Sequence, residues 1–199
     1  MSLARRLLLS LVAVGLAAAA VTAATWSSFS RTSANPSNAF SAGTVDISDN
    51  DAGASFSPPT MAPGDSTSGC IRVTYSGTLA AGVRLYASFT GGLAQYLDLT
   101  ITRGGESAPS FPACTSFMPD STDYLGSGAG VVYTGSLAAF ASAHGDYASG
   151  LVDAPGSAQT WSSGSAHSYR FTVTLPSGAP AAAQGLSASA TFTWEARNQ

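Results

Sequence analysis

The chain has 199 residues, a formal net charge of −3, only 10% charged residues, 21 Gly and 10 Pro. All eight basic side chains are arginine, which excludes a lysine Schiff base, a P-loop lysine and a lysine-built isopeptide cross-link. No basic excess exists to make a nucleic-acid or anionic-lipid face, and the abundance of turn formers predicts short strands rather than charge-laced surface helices.

The first element is a leader. Arg5 and Arg6 precede an apolar run from Leu7 to Val14 that fades into Gly15 and alanines, the layout of a secretory signal peptide. A retained membrane anchor is the alternative, since residues 7–24 approach the roughly 20 residues a span needs. The small residues at its end and the lack of a basic cluster after it favour export, so membrane contact is expected only through the uncleaved leader. Arg5-Arg6 followed by Leu8-Leu9 weakly resembles a twin-arginine signal, but the short basic region favours the general secretory route.

About 170 residues then remain, the size of one domain. The first strand is expected from Thr44 to Ile47, running into DISDNDAG. There Asp46, Asp49, Asn50 and Asp51 read better as a solvated turn than as calcium ligands, because an EF-hand loop needs further ligands and a terminal Glu. Ile71, Val73 and Tyr75 alternate with Cys70, Arg72 and Thr74, and Val83, Leu85, Ala87 and Phe89 alternate with Arg84, Tyr86 and Ser88. Both are half-buried strands. Leu97, Leu99 and Ile101 continue the pattern up to an expected turn at Arg103-Gly104-Gly105-Glu106. Residues 136–143 form the one credible short helix. Tyr169, Phe171, Val173 and Leu175 mark another strand, and Ala188, Ala190, Phe192 and Trp194 the last. The predicted fold class is therefore mostly β: a two-sheet antiparallel sandwich with one or two short helices. Cys70 and Cys114 are an even count in an exported chain and are expected to pair; two free thiols are the alternative.

Chemistry-bearing motifs are sparse. His144 and His167 are the only histidines, no His-Glu-x-x-His helix exists, and no Gly-x-Ser-x-Gly elbow presents a nucleophile. No catalytic residue, metal site or cofactor is expected.

Three blocks carry a family resemblance. The stretch TWSSFSRTSANPSNAFSAGTVDIS, the stretch MAPGDSTSGCIRVTYSGTLAAGVRLYAS and the ending QGLSASATFTWEARNQ together resemble the TasA and camelysin family of bacterial exported matrix and surface proteins. The shared features are an aromatic processing element and a polar spacer before F-x-A/S-G-T-L/V-D-L/I, a P-G-D turn, and a closing F-T-F/W-E-A strand. The cysteine pair and the Pro-rich APSFPACTSFMPDSTD depart from that pattern.

The resemblance implies a jelly-roll body and cleavage by a dedicated signal peptidase that recognises Thr25, Trp26 and Ser27. That divides the chain into a signal peptide (residues 1–27), an N-terminal arm (28–39) and the sandwich domain (40–199); a cut after Ala24 also satisfies the small-residue rule. It further implies a secreted, non-catalytic subunit of extracellular-matrix or cell-surface fibres, self-associating or joining related subunits. The arm would add as a strand to the next subunit, with Phe29 and Phe40 as groove-filling anchors; a terminal tail is the alternative for this polar, Pro-containing segment. Camelysin-like relatives imply a different reading, a cell-surface metalloendopeptidase, for which His144, His167, Asp146 and Glu195 are the available candidates. A glycan-binding sandwich is a third reading, with Trp161, Tyr147 or Tyr124 exposed to stack on sugar rings.

Overall fold

The protein was analysed as a computed structural model that describes residues 43–50, 60–156 and 160–198. Nine strands form two antiparallel sheets in a β-sandwich-like arrangement: β1 (Ile47–Asp49), β2 (Ser66–Tyr75), β3 (Ala81–Thr90), β4 (Asp98–Glu106), β5 (Phe117–Pro119), β6 (Val131–Ser136), β7 (Leu151–Val152), β8 (Ala166–Thr174) and β9 (Ser189–Asn198). Among the described residues, one α-helix, α1 (Leu137–Ala143), and two short 3-10 turns accompany these strands. The larger sheet runs β1-β2-β8-β4, with β5 and β6 sharing the far edge of β4; the smaller runs β7-β3-β9.

Period-2 alternation explains the core. Ile71, Val73 and Tyr75 of β2, Leu99 and Ile101 of β4, and Tyr169, Phe171 and Val173 of β8 are buried with Val83, Leu85 and Ala87 of β3. Phe192 and Trp194 of β9 pack onto β8, with ring centroids 4.5 Å apart for Phe171–Phe192 and 5.5 Å for Tyr169–Trp194. The helix begins where Ser136 caps it, its hydroxyl accepting from the Ala139 amide. Cys70 and Cys114 form a disulfide with a Cα–Cα distance of 5.2 Å. It ties the segment before β5 to the outer face of β2, where the Cys70 amide also donates to the Pro112 carbonyl.

Two expected boundaries are corrected. The first strand starts at Ile47 rather than spanning Thr44 to Ile47. The Thr44 carbonyl instead accepts from the Thr78 and Leu79 amides, and Asp46 accepts from the Ser76 hydroxyl, so this stretch fastens the β2–β3 connection. Arg103-Gly104-Gly105-Glu106 is no turn: β4 continues to Glu106. The glycine is there for close approach, since a Cβ on Gly104 would lie 2.1 Å from the Met118 carbonyl oxygen of β5.

Candidate functional site

Two ends of the sandwich offer sites of opposite character. At the end where β9 begins, the sheets part around a cavity of about 700 Å³ lined by Met61, Leu97, Leu137, Val173, Leu175 and Phe192 among others. Ala190 and Phe192 supply its β9 wall and Thr67 its β2 wall. The volume falls in the roughly 300–1,000 Å³ range of ligand pockets. The lining combines inward residues of β8 and β9, Val173 and Phe192, with apolar residues of the segments that cover this end, Met61, Leu97, Leu137 and Leu175.

The edge of β9 adjoins this cavity. An antiparallel pair directs alternate backbone groups toward its partner and the rest outward. Residues 189–198 pair with β3 on one side, and among the described residues no strand is hydrogen-bonded to the other, near which β1 passes. Other edges are better covered. The far side of β3 meets β7, bridges to Trp161 at Ala81, and donates from Ala87 to the His144 carbonyl; the far side of β4 is shared by β5 and β6. Among the described residues, then, the second side of the ten-residue β9 carries no paired strand.

The opposite end is polar and buried. Arg103, an inward residue of β4 only 7% exposed, donates through Nε to Asp153 at 2.9 Å and through Nη1 to Asp120 and to the Tyr124 hydroxyl. Its Nη2 lies 2.8 Å from His167 Nδ1 and 3.1 Å from Nε2. The Tyr169 hydroxyl donates to the same Asp153 oxygen. Burial alone would lower the arginine's pKa, but its hydrogen bonds and charge contacts with Asp153 and Asp120 raise it, fixing it as a cation. Burial pushes His167 below the ordinary histidine range, the Asp153 charge opposes that, and Arg103 adds to it. Burial, with Asp153 beside it, drives the Tyr169 phenol well above 10.

The sequence candidates scatter. His144 follows α1, its Nδ1 2.7 Å from the Ser149 carbonyl oxygen, while Asp146 accepts from the Ser149 amide and hydroxyl. Glu195, on β9, accepts from the Tyr86 hydroxyl and Arg197. His167 belongs to the arginine cluster. Among the described residues no three His, Cys, Asp or Glu side chains converge to hold a metal. Asn50 and Asp46 serve β1 and its surroundings, Asn50 accepting from the Arg72 amide; Asp51 lies outside the described residues.

Trp161 is corrected: it is 1% exposed, edge-on to His167 at 4.7 Å, and offers no face to a sugar. Tyr124 is tied to Asp120 and Arg103, and the Tyr147 ring has the Arg197 guanidinium 4.1 Å from its centroid. Thr25, Trp26, Ser27, Phe29 and Phe40 lie outside the described residues, as does the leader; no helix among the described residues is long and apolar enough to cross a membrane.

Sequence reasoning missed the arginine cluster, although one signal was present. Arg103 occupies the next inward position after Leu97, Leu99 and Ile101, and a charge on a core stripe demands buried partners. The sequence matches no family model and no curated protein.

Proposed function

We propose that the chain is an exported, non-catalytic structural subunit of extracellular-matrix or cell-surface fibres, built on a jelly-roll-like body. In this reading the subunits join when residues 28–39 add as a strand to the next subunit. The observation that carries it is the open edge of β9 beside an apolar cavity. A strand laid there gains main-chain hydrogen bonds from the edge and a pocket for an inward side chain from the cavity, the two components of strand addition.

The position of the arm's root supports the same reading. Gly43, the first described residue, packs on Leu79, just before the point where Ala81 pairs with Asn198, and so lies at the end where β9 finishes, remote from the cavity at its start. An arm of a dozen residues reaches about 40 Å when extended, enough to cross to a neighbour stacked end to end and engage its cavity. Repeated, such a contact does not close on itself and yields a filament. Export is supported by the disulfide, which belongs to oxidising compartments.

The test compares residues 28–199 with residues 40–199 by sedimentation and negative-stain microscopy at matched concentration. Fibres from the longer form and folded monomers from the shorter one are expected. Equal polymerisation by both, or none by either under any salt or pH tried, would remove the strand-addition mechanism.

A further inference from the structure

The arginine cluster joins four separate parts of the chain. Arg103 comes from β4, Asp120 and Tyr124 follow β5, Asp153 follows β7, and His167 and Tyr169 come from β8. Backbone bonds reinforce the join: the Arg103 amide donates to Gly130 and the Asp120 amide donates back to the Arg103 carbonyl. The guanidinium therefore adds to those backbone bonds a side-chain link between the segment at residues 120–130 and Asp153 at this end of the sandwich. With side chains 8% and 1% exposed, the Arg103–Asp153 contact is sheltered from solvent.

His167 is the weak point of that arrangement. Arg103 Nη2 is nearly equidistant from both ring nitrogens and so lies over the imidazole face, a contact that favours the neutral ring over the imidazolium. A proton on His167 would place two cations about 3 Å apart. One acceptor is in reach: Asp153 Oδ2, buried without a hydrogen bond, lies 3.7 Å from His167 Nε2. An imidazolium turning toward it competes with Arg103 for the carboxylate that anchors the arginine.

We propose that His167 is a proton-operated latch, whose protonation loosens Arg103 from Asp153 and frees the segments at residues 120–130 and 153–156 to open at the end of the sandwich. The charged groups around the ring set the direction. Asp153 and Asp120 favour the proton, whereas Arg103 and the Arg72 charge from β2 oppose it; Tyr169 and Tyr124, both with raised pKa, stay neutral. Burial among these groups and against the Trp161 ring adds to the opposition. Since the folded pKa lies below the ordinary value near 6.5, the unfolded or opened state binds more protons in acid. The latch's contribution is complete above about pH 6.5 and is lost as pH falls through the folded value, tenfold in the opening equilibrium for each pH unit between the two.

The experiment is hydrogen exchange read by mass spectrometry on the disulfide-intact chain between pH 7.5 and 4.5, corrected for intrinsic exchange, with an NMR titration of the His167 ring. Opening of peptides covering residues 120–130 and 153–156 is expected to rise in the wild type, tenfold for each pH unit by which the measured His167 pKa lies below 6.5. In His167→Gln, which accepts from Arg103 and cannot titrate, the same peptides should show no such rise. Equal acid opening of both proteins overturns the latch. If the variant does not fold, the wild-type titration decides: a His167 pKa below 6.5 with opening that follows it supports the proposal, and a value at or above 6.5 overturns it.

Discussion

At one end of the sandwich a buried arginine is matched by carboxylates, a phenol and an imidazole from three other chain segments; at the other, apolar residues of β8, β9 and the segments that cover them surround a cavity beside a strand edge with no paired strand among the described residues. The first end is closed by interactions that lose much if one partner is removed, because a buried charge without its counter-charge is costly. The second tolerates change, because an apolar wall with free volume has neither a charge to orphan nor tight packing to disturb. The difference separates two roles: the polar end ties distant chain segments together, and the apolar end is where the proposed strand addition would act.

The largest expected effect breaks the polar end. Arg103→Ala leaves Asp153 buried and unpaired, and should cost about 3–5 kcal/mol, read from urea unfolding at neutral pH. A loss below about 1 kcal/mol would mean that solvent already reaches Asp153 and that the two ends do not differ as described. Replacing both Cys70 and Cys114 by Ser removes a bridge across a sequence separation of 44 and should cost roughly 2–4 kcal/mol. This bridge clamps the outer face of β2, away from both ends, so hydrogen exchange should rise first at residues 107–119. A first rise at the arginine cluster instead would couple the disulfide to the polar end. Next, Gly130→Ala places a Cβ 2.4 Å from the Arg103 carbonyl oxygen at a φ of +73°, and about 1–3 kcal/mol should be lost in thermal unfolding. An unchanged melting temperature would show that this segment yields easily.

These sites were unequally legible in the sequence. The long strands β2, β3, β8 and β9 each bury one face, and strict alternation announced them. β5 and β7 have three and two residues, too few for any periodicity, and β6 was hidden because Val131 and Val132 are both buried and Gly135 interrupts the run. Gly104-Gly105 looked like a turn because glycine marks both turns and close backbone approach, and only the position of Met118 distinguishes them. The disulfide was readable from cysteine count. The cluster was not, because Arg103, Asp120, Asp153 and His167 are separated by up to 64 residues and meet only once the sheets form. The open edge of β9 was equally invisible, since which strand lies outermost is a property of sheet order rather than of local pattern.

The smallest expected effect on stability probes the apolar end, and there the effect on association should be the largest. Ala190 lies on the inward face of β9 and lines the cavity, whereas its neighbour Thr191 points to the opposite face of the same strand. Ala190→Leu should extend into free volume, so its stability should stay within about 1 kcal/mol of wild type. The added side chain occupies the space an inward anchor of the incoming arm would need, so fibre formation should fall at least tenfold. Thr191→Leu adds comparable apolar bulk to the same strand without entering the cavity, and should polymerise like the wild type. Sedimentation of all three proteins at equal concentration separates the outcomes. Loss of fibres in both variants would assign association to the outer face of β9, and normal fibres from Ala190→Leu would mean that the cavity takes no part in it.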